Sequence, residues 1–159
     1  MKVLDFVKVL KATKAPFLPA IIVCCDKNGK SNPITVEWYM RTSIQPPMFA
    51  VSIGNDRYSY QCLQECRKFN IVLCSKDFGD AVKLFGSKSG KDTDKIKDSG
   101  LKTFKGKLGL EIFEDSRAAY ECETVTQVKS GDHTIFVGEV KYSWLNEETS
   151  ELIVFPDKS

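Results

Sequence analysis

The sequence predicts a mainly β domain, an antiparallel, closed or nearly closed barrel with a few short peripheral helices. Three observations carry this. Asn28-Gly29 separates two β-prone runs, the strongest short hairpin signal. Two long segments, Ala118 to Val128 and His133 to Leu145, alternate as antiparallel strands do and meet at Ser130-Gly131-Asp132. Helical stretches are few and short, and no GxGxxG occurs, which removes a doubly wound nucleotide-binding fold.

In chain order, Ile21 to Cys25 and Pro33 to Met40 are the hairpin strands around Asp26 to Lys30. A polar turn closed by Pro46-Pro47 leads to a third strand, Met48 to Ile53. Asn55-Asp56 supplies N-cap chemistry for a helix from about Tyr58 to Lys68, with Tyr60, Leu63 and Phe69 available for its buried stripe. Asn70 to Ser75 returns as a strand, and Asp77 or Asp80 begins a short helix through Phe85. Gly86 to Gly100, rich in Ser, Lys, Asp and Gly, reads as a loop, and as the longest irregular stretch it is the expected lid or ligand loop. Glu151 to Phe155 reads as a last strand. The run Gly86-Ser87-Lys88-Ser89-Gly90-Lys91 is not a P-loop. Only three residues separate its glycines, and Asp92 stands where Ser or Thr is required.

At 159 residues the chain suits a single domain, 1–159, with a core of its own. Its 23 basic and 21 acidic residues leave a net charge of +2, too little to steer it toward nucleic acid or an anionic membrane. Pro19 interrupts the longest N-terminal apolar run, and Lys8, Lys11 and Lys14 break up the place a secretory h-region would occupy, so a cytoplasmic protein is expected. A chain of this size does not need disulfide staples, and Cys24, Cys25, Cys74 and Cys122 sit in apolar runs as small hydrophobes. Cys62 and Cys66, four apart on the expected helix, share a face suited to a redox or metal pair. With no second CxxC or His pair, no metal site is expected.

Several short motifs stand in a telling order: Asn32-Pro33-Ile34-Thr35-Val36, Trp38, Thr42-Ser43 before Pro46-Pro47, Val51-Ser52-Ile53-Gly54, Arg57-Tyr58-Ser59-Tyr60, Ser89-Gly90 with Asp94-Lys95, and Gly131-Asp132-His133. Together, from about Ala15 to Leu145, they resemble the flavin reductase-like, FMN-binding split-barrel family, closest to its flavoredoxin-type branch. The resemblance implies a split barrel with FMN as cofactor, NADH, NADPH or a protein as electron donor, and a homodimer whose flavin grooves lie at the subunit interface. Two functions follow from it. One is an NAD(P)H-dependent flavin reductase-like oxidoreductase; the other is an electron carrier that holds FMN tightly, serves a redox-protein partner and oxidises no NAD(P)H itself. A split barrel that has lost flavin and serves as an interaction domain is a third reading.

The resemblance also assigns roles. Backbone groups near Thr35 and Val36 face the pyrimidine edge of the flavin and Trp38 gives aromatic contact, although a strand Trp also serves as core packing. Asn32 contacts the ring or simply leaves the hairpin turn. Arg57 and Ser59, at a helix mouth where unpaired amides favour an anion, take the phosphate, with Ser43 and Ser52 as secondary candidates. Lys95 stabilises the reduced anion near N1 and O2, or is one more solvated lysine. His133, the sole histidine, is placed beside the flavin and the incoming nicotinamide, or is a turn residue. Glu37 and Gln45 depart from the family pattern, where a small residue and an Asp are usual. The sequence ends at Ser159 without the C-terminal segment that many relatives fold over the flavin.

Overall fold

The computed structural model describes residues 3–13, 15–149 and 151–155; Lys14 and Ser159, named above, lie outside them. A short helix α1 (Phe6–Ala12) precedes β1 (Ala20–Cys25), β2 (Ser31–Val36), β3 (Tyr39–Ile44), β4 (Pro47–Gly54), α2 (Tyr58–Cys66) and β5 (Lys68–Leu73). A 3-10 turn (Lys76–Phe78) leads to α3 (Gly79–Ser87), α4 (Lys95–Ser99), β6 (Thr103–Lys105), β7 (Glu111–Phe113), β8 (Ala118–Ser130) and β9 (His133–Leu145). Seven strands form one antiparallel sheet in the order β2-β1-β5-β8-β9-β4-β3, and β6 pairs with β7 apart from it.

The sheet curls because its long strands are irregular. β8 and β9 slip register at Glu121/Cys122 and again at Thr124/Thr126, and such bulges bend a strand and sharpen its twist. Gly138 on β9 makes the bend possible, since a Cβ there would stand 2.7 Å from Phe69 Cζ and 2.9 Å from Cys122 Cβ. The curl divides the core in two. Ile22, Cys24, Leu63, Phe69, Ile71 and Phe136 fill the inside, while Ile21, Val23, Val72, Phe78, Phe85 and Phe113 pack between the outer face, α3 and β7. β1 therefore has apolar residues on both faces and reads as a continuous run, AIIVCC, rather than an alternation.

The mainly β, antiparallel split barrel with short helices is the fold observed, and several elements differ from expectation. α2 has Arg57, not Asn55-Asp56, at its N-cap, without a side-chain hydrogen bond, and it ends at Cys66; Phe69 lies in β5, which runs Lys68–Leu73 rather than Asn70 to Ser75. The run Pro33 to Met40 is not one strand: it breaks at Glu37-Trp38, where Tyr39 N donates to Glu37 O at 3.2 Å, and the chain re-enters as β3. β3 occupies the stretch expected as a polar turn, because the sharp reversal is confined to Gln45-Pro46, a cis peptide. Part of the expected loop Gly86 to Gly100 is α4, capped by Asp94, whose side chain accepts from Lys97 N. Glu151 to Phe155 makes only single bridges, Ser75 to Leu152 and Phe17 to Phe155.

The cysteine expectation also needs correcting. Cys25 is bonded to Cys66 with their Cα atoms 6.0 Å apart, and Cys62 faces Cys24. The helical spacing of Cys62 and Cys66 would permit a pair within α2. The hairpin instead brings β1 under the helix and supplies a partner to each. Among the described residues no cluster of His, Cys, Asp and Glu suits a metal ion, and no helix is long and apolar enough to cross a membrane.

Candidate functional site: two clefts sharing one wall

Where β2, β4 and the start of β9 meet α3, two clefts of about 220 and 170 Å³ adjoin and share Ile34, Arg57 and Gly86. The first is an open groove. Thr35, Val36, Glu37 and Trp38 form one side, Ser52, Ile53 and Gly54 the other, and His133 its end. Antiparallel pairing sets this end, because Gly54 lies opposite His133. Trp38 is 55% exposed, so it is not core packing; its ring lies 4.8 Å from that of His133, tilted by 44°. His133 Nδ1 donates to Asp132 Oδ1 at 2.7 Å, and that hydrogen bond holds the Asp132 carboxyl below its ordinary pKa. A Cβ on Gly54 would stand 2.9 Å from Asp56 Oδ1, so the absence of a side chain lets the Asp56 carboxylate pack against this corner beside His133.

The second cleft is smaller and cationic. Arg57 and Ser59 line it at the mouth of α2, and Ser89, Gly90 and Lys95 close it from the other side. Ser59 is buried, and its Oγ accepts from Asn32 Nδ2 at 2.8 Å. Asn32 thus supports the floor of this cleft. Its Oδ1 is a buried acceptor without a hydrogen-bond partner among the described residues, packed against Gly90 so tightly that a Cβ on that glycine would fall 1.9 Å from it. Lys95 is 3% exposed, and its Nζ donates to Phe85 O at 3.3 Å. Burial lowers its pKa to about 8; the nearby thiols of Cys24 and Cys62 oppose that shift and Arg57 adds to it. Lys95 is therefore no solvated loop lysine. It lines the cleft of Arg57 and Ser59, not the groove of Thr35 to Trp38.

Eight of the residues singled out in the sequence line the two clefts: Thr35, Val36, Trp38, Ser52, Arg57, Ser59, Lys95 and His133. Asn32 lies just beneath them. Ser43 is not brought in; it pairs with Met48, six residues along β4 from Gly54. Ile34 and Gly86 were missed. Gly86 opens the stretch expected as a ligand loop but lies in the last turn of α3, where a Cβ would stand 3.5 Å from Thr35 Cβ, in ordinary contact with β2. Larger clefts exist, one of about 460 Å³ beside Phe104 and Trp144, but its charged lining residues, Glu114, Glu147 and Glu148, are all acidic. The smaller site differs in charge: Arg57, Lys88 and Lys95 line it with the buried Ser59, against the single carboxylate of Asp56.

A small cationic cleft opens into an aromatic-walled groove on a curled antiparallel sheet, and the class of fold is a split barrel. Residues 17–158 match the flavin reductase like domain, and the chain belongs to that family. An uncharacterized protein of Aeropyrum pernix is 31% identical over 84% of this chain, and this chain spans 51% of that relative's length. The NADH-dependent flavin reductase StyB of Pseudomonas fluorescens is 26% identical over 76% of this chain and 67% of its own. Among solved structures, the FMN-binding protein of Thermus thermophilus, with p-hydroxybenzaldehyde bound, superposes with a TM-score of 0.80 at 30% identity. That alignment covers 93% of this chain and 79% of the other.

Proposed function

We propose that the chain binds FMN across both clefts and passes electrons or hydride from NADH, NADPH or a protein donor through it. One observation carries the reading: the two clefts share a wall, one offering Trp38 and strand backbone to a planar ring, the other Arg57, Lys95 and Ser59 to a phosphate. The donor set fits that group. Lys95 is a buried cation that makes a single hydrogen bond among the described residues, to a neutral carbonyl, and a phosphate would complete its partners. Bound FMN would supply the redox chemistry at its ring. The chain's own residues hold and orient it: Trp38 covers a ring face, and His133, steadied by Asp132, stands where a nicotinamide approaches. His133 thereby orients rather than donates a proton.

Similarity to a flavin reductase described as NADH-dependent favours the enzymatic reading over the electron carrier. Anaerobic titration of the FMN-loaded chain with NADH and NADPH tests this. Bleaching of the flavin band at stoichiometric nicotinamide is expected; a band unchanged by either nucleotide but bleached by dithionite identifies a carrier. A homodimer fits the exposed edge strand β3, where Met40 and Ile44 stand 63% and 92% exposed beside Trp38.

A further inference from the structure

The flavin reading leaves one chemical feature unused. Cys25, the last residue of β1, is bonded to Cys66, the last residue of α2, and the thiols of Cys24 and Cys62 face each other between the same two elements. The Cys24 and Cys62 half of this seam lies behind the cationic cleft, and the disulfide lies at the other end of the helix. Cys24 Sγ stands 3.4 Å from Asn32 O and 3.9 Å from Ser59 O, and Asn32 in turn holds Ser59 Oγ. α2 has nine residues, a stiff rod of about 13 Å, with Ser59 in its first turn and Cys66 at its far end. Fixing Cys66 to β1 therefore fixes the tilt of the helix whose N-terminus floors the cleft.

We propose that the Cys25–Cys66 bond is a reversible thiol switch that sets the affinity of the cleft for a phosphate monoester, tight when the bond is closed and weaker when it is open. The proposal rests on the reading that this cleft takes the FMN phosphate. Two observations favour reversible use over a permanent staple. The chain fills two apolar clusters, one on each face of its sheet, so its core does not depend on a cross-link. The two sulfurs also differ in access: Cys66 is half-buried whereas Cys25 is 6% exposed, so an external thiolate meets Cys66 Sγ first. Attack there breaks the S–S bond, and Cys25 leaves as a thiolate that takes up a proton. A second external thiol resolves the mixed disulfide. In sum, one protein disulfide and two small thiols become two protein thiols and one small disulfide. Two further contacts hold the helix to the hairpin independently of the disulfide, Lys27 N on Glu65 at 3.0 Å and Tyr58 OH on Asp26 at 3.4 Å, so opening the bond would release its tilt without undocking it.

The test equilibrates the whole chain with oxidised or reduced glutathione, counts thiols by alkylation after denaturation, and titrates FMN and riboflavin into each form. Four thiols are expected in the oxidised form and six in the reduced one. The FMN Kd should be about fivefold or more weaker in the reduced form, with the riboflavin Kd unchanged. A Cys25→Ser/Cys66→Ser chain should match the reduced form in both buffers. Equal FMN affinities, equal losses for FMN and riboflavin, or six thiols under oxidising conditions would overturn the switch and leave FMN binding standing. Failure of both forms to bind FMN would overturn the cofactor reading and the switch with it.

Discussion

Lys95 brings a positive charge into a site where it is 3% exposed, and that placement has a pH signature. Its pKa is about 8 in the folded chain against an ordinary 10.5, so between those limits the unfolded chain binds more protons than the folded one. The contribution of this lysine to stability therefore rises from pH 8 to 10.5, and the burial penalty is present in full below 8. A phosphate dianion in the cleft reverses the preference by favouring the charged lysine. FMN affinity should accordingly fall as pH rises above 8, by up to about tenfold per pH unit, while riboflavin affinity stays flat in fluorescence titrations. Lys95→Met should flatten the FMN profile and weaken FMN at pH 7. A profile unchanged by that substitution would remove Lys95 from phosphate binding. Arg57 makes an independent test. It is exposed and has only Asp56, at 3.7 Å, as an ion-pair partner among the described residues, so its loss costs little to the fold. Arg57→Ala should weaken FMN by about 2 kcal/mol, roughly thirtyfold, the scale of a lost charge-assisted bond. Equal losses for FMN and riboflavin would make Arg57 a support of the fold instead.

At the scale of elements, the cleft depends on how closely the segment before α4 approaches β2. Gly90 sits against Asn32 with no room for a methyl group. Gly90→Ala should push the Asn32 side chain off Ser59, lowering stability by about 1 to 3 kcal/mol in urea unfolding and weakening FMN further than riboflavin. A substitution neutral in both assays would mean that the loop retreats freely. The same neighbourhood shows what the sequence could and could not convey. The β1-β2 hairpin was legible because Asn28-Gly29 enforces its own geometry, Gly29 having a φ of 79°. The β8-β9 hairpin was legible because both strands run thirteen residues and β9 alternates buried and half-buried positions from His133 to Glu139. β3 was not, since an exposed edge strand with the pattern YMRTSI carries no buried face to impose a period. α4 was missed because five residues are too few for periodicity, and only Asp94 marks its start. The groove residues from Thr35 to Trp38 were found by their order in the chain. The burial of Lys95 was not, because six lysines between Lys83 and Lys102 look alike until the fold chooses one. The Cys25 to Cys66 bond joins residues 41 apart, which no local pattern records.

For the whole molecule, the exposed β3 edge predicts assembly. Light scattering should give twice the 17.9 kDa chain mass, and Ile44→Lys should return a monomer that is still folded by circular dichroism. A wild-type chain that remains monomeric at tens of micromolar, a generous ceiling for a specific interface, would place the whole groove within one subunit. β1 offers a different view of the same molecule. Ile21, Ile22 and Val23 are paired with β2 on one side and β5 on the other, with no exposure to solvent, so their amide protons have no local route to water. Deuterium should enter there only when the entire chain opens, which makes these three amides a gauge of global stability. A ligand that binds only the folded chain slows their exchange by the factor 1 + [L]/Kd. Cofactor affinity is thus readable, without optical signal or turnover, from the backbone of a strand that lines neither cleft.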